Sequence, residues 1–177
     1  MTARPTRLVA LTTGLLLTAG LVPGSTGAWA ASTSTWSTGT RSVVRDPATT
    51  PTVTGIRVGR HPTYDRIVID LRGGAPGYRV GYVRALREDG SGRVVDLRGA
   101  ASLRITLPSA NAHDIVTGAD TLRTPARKRW FYPEIKEYAV LGDFEAVVTV
   151  GVGVARREPF RVFTLRHPTR LVVDVRH

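Results

Sequence analysis

Pro159-Phe160-Arg161-Val162-Phe163-Thr164-Leu165-Arg166-His167-Pro168-Thr169-Arg170-Leu171-Val172-Val173-Asp174-Val175 reads as two β-strands joined by a short turn. Phe160 to Leu165 is a run of aromatic and β-branched residues. His167-Pro168-Thr169 breaks it, because proline has no amide hydrogen and biases the residue before it away from helix. Arg170 to Val175 then alternates, with Leu171, Val173 and Val175 on one face and Arg170, Val172 and Asp174 on the other. The same order occurs once earlier. His61-Pro62-Thr63 is followed by Arg66-Ile67-Val68-Ile69-Asp70-Leu71, again a turn and then Arg, apolar, Val, apolar, Asp, apolar. Two copies of one turn-plus-strand, early and last in the domain, imply a β-fold built from related halves or sealed by matching strands.

Between the copies the alternation continues. Ile56 and Val58 begin it, and Tyr78, Val80 and Tyr82 share a face in Gly77 to Val83. Asp89-Gly90 is a hairpin signal. A short strand follows from Arg93 to Leu97, and then Leu103, Ile105 and Leu107 line one face. Ile135 to Leu141 and Ala146 to Val154 complete the set, with Gly151 and Gly153 marking a bulge or a close approach by another backbone. About eight strands at intervals of roughly 8–12 residues, with no amphipathic helix, predict an all-β fold: one antiparallel β-sandwich of two small sheets over residues 53–177.

The first thirty residues are of another kind. Arg4 and Arg7 precede an apolar run from Leu8 to Val22, and Ala28-Trp29-Ala30 is a small-x-small cleavage pattern. Residues 1–30 therefore read as a Sec-type signal peptide. Its core is short for a membrane span, which needs about 20 apolar residues. With no cysteine in the chain, neither a lipoprotein nor a disulfide scaffold is expected. The expected location is extracellular or cell-wall associated, with no transmembrane segment. Residues 31–52, mostly Ser, Thr, Ala and Pro, read as a flexible linker in which Trp36 is incidental.

The formal charge is +11, and arginine outnumbers lysine 23 to 2. Such an excess attracts polyanions. For an exported chain those are peptidoglycan carboxylates, teichoic acids and lipid headgroups, and nucleic acid is not an expected partner. Residues 108–133 form the irregular part, and a connection that long is usually functional or disordered. It contains Arg127-Lys128-Arg129-Trp130-Phe131-Tyr132. Arg127, Lys128, Arg129, Trp130 and Tyr132 are the candidate binding residues, since arginines meet carboxylates or phosphates and rings stack on sugar faces. The competing reading makes Trp130, Phe131 and Tyr132 a plug for the open end of the sandwich.

No catalytic, metal or cofactor site is expected. His61, His113, His167 and His177 fall in no chelating spacing, although His61 and His167 occupy equivalent turns. Asp143 and Glu145 would share a strand face, a spacing that suggests the paired carboxylates of a glycosidase, but they fall at a hairpin where acids are ordinary. No GxSxG and no phosphate-cradling glycine loop is present. Asp70 and Asp174, each four residues after an arginine, are expected to take cross-strand partners as modest surface ion pairs.

The stretches DRIVIDL (65–71), GYRVGYV (77–83), GDFEAVVTVGVGV (142–154) and PFRVFTLRHPTRLVVDVRH (159–177) resemble the AMIN-like domain of actinobacterial exported proteins, a distant relative of the AMIN domain. The resemblance implies a β-sandwich of two small sheets and a place at the envelope. AMIN domains accompany amidase catalytic domains and pilus secretins, and target them to peptidoglycan. It supplies no catalytic motif, so a non-enzymatic module that associates with peptidoglycan or an anionic wall polymer is expected. Two other expectations stand beside it: an accessory role in wall metabolism with an unrecognised site, and a protein-binding module acting through a sheet edge. Mass spectrometry of the exported protein is expected to give Ala31 as its first residue; an N-terminus well before or beyond it would refute the cleavage site.

Overall fold

The computed structural model describes residues 35–177, and the predicted signal peptide lies outside them. Twelve strands form in chain order: β1 Arg41–Val43, β2 Thr52–Arg60, β3 Tyr64–Arg72, β4 Tyr78–Val83, β5 Leu86–Arg87, β6 Val94–Val95, β7 Ala101–Pro108, β8 Arg127–Arg129, β9 Ile135–Phe144, β10 Val147–Val154, β11 Phe160–Leu165 and β12 Arg170–Arg176. They make a six-stranded sheet ordered β1-β4-β7-β10-β9-β8, a four-stranded sheet ordered β11-β12-β3-β2, and the β5-β6 hairpin. All pairings within these sheets are antiparallel.

The alternation written in the sequence fills the space between the sheets. Ile67, Ile69, Leu171, Val173 and Val175 from the four-stranded sheet meet Leu103, Ile105, Leu107, Val148, Val150 and Val152 from the six-stranded one in a single buried cluster. Burying a side chain of that size contributes about 1.5–3 kcal/mol. The outer face of the six-stranded sheet is covered by the hairpin, where Leu86 and Leu97 pack on Ala139 and Leu141. Gly151 and Gly153 make that possible. A Cβ at Gly151 would stand 2.9 Å from Leu86 Cδ1, and one at Gly153 would overlap the carbonyl oxygen of Arg98.

The two copies of the repeated strand, β3 and β12, turn out to be direct neighbours. Because they run antiparallel, an Arg-x-x-x-Asp on each places Arg66 opposite Asp174 and Arg170 opposite Asp70. The same geometry sends the turns that precede them to opposite ends of the pair, so His61 and His167 are not brought together.

The linker reading fails for the part of residues 31–52 that is described. Ser37 exchanges both backbone hydrogen bonds with Phe160, at 3.0 and 2.9 Å, along the edge of the four-stranded sheet. A few residues later Arg41–Val43 pairs with β4 at the edge of the six-stranded sheet. The segment thus stitches both sheets along one side. It needs few apolar side chains, because its order comes from backbone bonds at edges that would otherwise be open. Along the other side, Val53 N–H donates to Asn111 O and Arg123 N–H to Thr54 O, while Ile56 N–H donates to Thr124 Oγ1 at 2.9 Å. The connection over 108–133 is therefore structured, and covers the first half of β2.

Two polar contacts cross from sheet to sheet. Asp65, fully buried on β3, accepts the N–H groups of Glu134 and Ile135 at 2.6 and 2.9 Å on Oδ2. Tyr138 on β9 donates its hydroxyl to Pro125 O at 2.8 Å, with Ile56 O of β2 at 3.4 Å. Asp65→Ala removes the shared acceptor and leaves two buried donors unpaired, and is expected to cost about 3 kcal/mol in urea unfolding. Asp65→Asn, which retains an acceptor oxygen, is expected to cost less than half of that.

Candidate polyanion-binding surface

Arg127, Lys128 and Arg129 are not in a loop. They form β8, an edge strand paired with β9 in the register Arg127↔Ala139, Lys128↔Tyr138 and Arg129↔Glu137. Sequence reasoning missed it because three consecutive basic residues carry no apolar alternation. The strand is specified by its partner rather than by itself.

Glu137 explains two of the three charges. Its side chain is 1% exposed. Oε1 accepts Arg127 Nε at 2.7 Å and Arg129 Nε at 3.2 Å, and Oε2 accepts the Arg98 N–H at 2.9 Å. Burial pushes this carboxyl up, but the bonds from Arg127, Arg98 and Arg129 together outweigh it and hold the group below the usual carboxylate range. Arg127 and Arg129 are thus needed by the fold, although each still exposes about half of its side chain, 49% and 59%. Lys128 differs. It forms no ion pair among the described residues, and its ammonium lies 4.5 Å from the centroid of the Trp130 ring.

The three aromatic residues separate. Trp130 and Tyr132 stack at 5.3 Å between centroids, and both pack partly buried against the main core. Trp130 Nε1 is enclosed with no hydrogen-bond partner, which suits a ring turned inward. Lys136 Nζ, donating to Tyr132 O at 2.6 Å, fixes the chain behind them. Phe131 points the other way and is 93% exposed. The plug is therefore Trp130 with Tyr132. The free ring is Phe131, which the sequence reading had grouped with the plug. Lys128 and Phe131 are thus both exposed on this stretch, the cation over Trp130 and the ring in solvent.

A second basic cluster lies on the outer face of the four-stranded sheet. Arg161, Asp174 and Arg66 stand side by side across three strands. Asp174 is fully buried. Arg66 binds it through Nε at 2.6 Å and Nη2 at 3.0 Å, and Arg161 through Nε at 2.8 Å. The expectation of a modest surface pair is wrong for Asp174, because aromatic side chains and two guanidinium groups cover it. It suits Asp70, which pairs with the exposed Arg57 at 2.6 Å rather than with Arg170 opposite.

Elsewhere the acids have local roles. Asp143 Oδ2 bonds His113 Nδ1 at 2.6 Å. Glu145 sits in the turn after β9 with φ 49°, so the two acids do not continue one strand face. Among the described residues no three His, Cys, Asp or Glu side chains converge as a metal site, and no helix is long and apolar enough to cross a membrane.

A family model described as an AMIN-like domain matches residues 51–177. No curated protein and no solved structure matches the chain.

The two ion pairs give a comparison. Asp174→Ala strands two partly buried guanidinium groups and is expected to cost about 3 kcal/mol. Asp70→Ala breaks an exposed pair and is expected to cost less than about 1 kcal/mol. Thermal unfolding of both variants checks the order.

Proposed function

The chain belongs to the AMIN-like domain family, and from that membership we propose that it is a non-enzymatic exported module that associates with the cell envelope. Its ligand is peptidoglycan or a teichoic-acid-like polyanion of the wall, gripped by the β8 edge. The observation that carries this reading is Lys128, an exposed cation on β8 that forms no ion pair among the described residues, on a stretch that also exposes the ring of Phe131. Arg127 and Arg129 add outward-facing guanidinium donors on a strand fixed by Glu137. Guanidinium donors meet carboxylate and phosphate oxygens in charge-assisted hydrogen bonds. Export rests on residues 1–30, whose basic start, apolar core and Ala28-Trp29-Ala30 site suit a signal peptide.

What supports a non-enzymatic role is the use made of the buried acids. Asp65, Glu137 and Asp174 each hold backbone or arginine N–H groups that the fold requires. Burial raises the Glu134 carboxyl above its ordinary value; its Oε1 accepts the Arg156 N–H at 2.7 Å, and its Oε2 is enclosed without a hydrogen bond. The sheet-edge alternative loses ground where Asn111 and Thr124 cover β2.

Co-sedimentation with purified cell walls, with and without teichoic acid, tests the proposal. Retention is expected to fall steeply with salt, because exposed charges are screened beyond about 10 Å at 0.1 M. Arg127 and Arg129 are poor probes, since removing them strands Glu137. Lys128→Glu, alone or with Phe131→Ala, is expected to reduce retention severalfold while the melting temperature changes little. Salt-insensitive retention, or full retention by the double variant, would sink the proposal.

A further inference from the structure

The outer face of the four-stranded sheet carries a constellation that β8 does not. Arg66 Cζ lies 5.3 Å from the Tyr64 ring centroid and 5.4 Å from that of Phe163. Arg161 Cζ lies 4.6 Å from Trp36, 5.2 Å from Tyr64 and 5.7 Å from Phe163. Arg176 Cζ adds a contact to Trp36 at 5.8 Å. Trp36, supplied by the stretch that the sequence reads as linker, closes the group 6.0 Å from Tyr64. The rings and guanidinium groups are only part-covered, and Arg66 and Arg161 keep 24% and 29% of their side chains in solvent.

Packing alone does not require this arrangement. One carboxylate, Asp174, is shared by two guanidinium groups, so the pair leaves one positive charge uncompensated, and Arg176 beside them adds another. Asp174 and the rings fix the orientation of Arg66 and Arg161. Their Nη1 groups take no part in the Asp174 bonds. A fixed, partly desolvated guanidinium attracts an anion more strongly than a freely solvated one, because less screening and less side-chain entropy oppose the contact. Tyr64 is stacked on His61 at 4.5 Å between centroids, and Trp36 and Phe163 keep part of their ring surface in solvent. Part-exposed rings joined to a fixed anion site match a ligand ring that bears an acid group.

We infer that this face is a second binding site, built on Arg66, Arg161, Arg176, Tyr64, Phe163 and Trp36, for a sugar ring that carries an anionic group. The pyranose face lies on the aromatic rings, and its carboxylate or phosphate takes the free donors of Arg66 and Arg161. The site deepens the envelope reading by naming a ligand unit, but it stands apart from β8, and its test does not depend on Lys128.

Isothermal titration calorimetry of the full chain with four probes tests it: a hyaluronan hexasaccharide, glucose 6-phosphate, a chitin hexasaccharide and inorganic phosphate. The carboxylated glycan or the sugar phosphate is expected to bind at least about tenfold more tightly than the neutral glycan or phosphate alone, the worth of one charge-assisted hydrogen bond. Which of the two wins identifies the acid group. Phe163→Ala and Arg161→Gln are each expected to weaken that binding about tenfold. If either fails to fold, Trp36→Ala and Arg176→Gln, on the N-terminal segment and at an exposed strand end, supply the test. Lys128→Glu is expected to leave it unchanged. Binding lost in Lys128→Glu but retained in the face variants would overturn this site while leaving the β8 reading intact. Loss in the face variants with wall retention insensitive to Lys128→Glu would do the reverse. No binding of any probe, or equal binding of the neutral glycan, overturns it outright.

Discussion

A carboxylate placed in an apolar core is tolerated only when donors meet it, and Asp65 turns that requirement into the link between the two sheets. It stands on the inner face of β3 and takes the N–H groups of Glu134 and Ile135, where β9 begins. Those two donors lie at the strand start, just before and at the end ladder pair of β9 with β10, Ile135↔Val154. Each side thus offsets part of the other's desolvation cost, while Asp65 Oδ1 is enclosed without a hydrogen bond, 3.7 Å from His177 Nε2. Dispersion between Ile, Leu and Val side chains sets no unique offset of one sheet over the other, whereas a bond to a named pair of amides does. Tyr138, reaching from β9 to Pro125 and Ile56, adds a second fixed point further along the same strand.

The chain solves a related problem twice on its surfaces. Glu137 and Asp174 are each buried under two arginines. Arginine suits the task because its planar fork offers several donors and stays charged when partly desolvated. Two guanidinium groups around one acid leave surplus positive charge at fixed places, which differs from charge spread on mobile side chains. The basic composition of the chain is thereby converted at these two places into local, oriented fields.

The fold was largely legible, and the reason is specific. Phe160–Leu165 and the alternating run from Arg170 carry their strand signal in their own side chains, as do Leu103, Ile105 and Leu107, and the structure follows them closely. Strands that bury little left no such signal. Arg41–Val43 and Arg127–Arg129 are ordered by backbone bonds to neighbours far away in sequence, and Trp36 gains its role only because Ser37 pairs with Phe160. For the same reason the candidate residues were found by type but not by duty. Glu137 and Asp65 look like any other acid in an alternating run, and only the third dimension shows which of them is covered. Phe131 and Trp130 are adjacent, yet just past the end of β8 one is exposed and the other packs on the core.

That difference bears on how positive charge at a sheet edge should be understood. Short edge strands and basic side chains both protect a sandwich from pairing with other chains. Both features of β8 therefore have a structural cause before any ligand is considered, and Arg127 and Arg129 have a further one in Glu137. Lys128 and Phe131 are the residues of this edge with the least claim on them: among the described residues Lys128 meets no acid and touches only the Trp130 ring, and Phe131 enters no core. On the four-stranded sheet the same reasoning sets aside the Asp174 bonds of Arg66 and Arg161, and leaves their remaining donors and the part-exposed rings around them. A binding surface is best sought in what remains after the fold has taken its share, and in this chain that remainder is small, cationic and aromatic at both places.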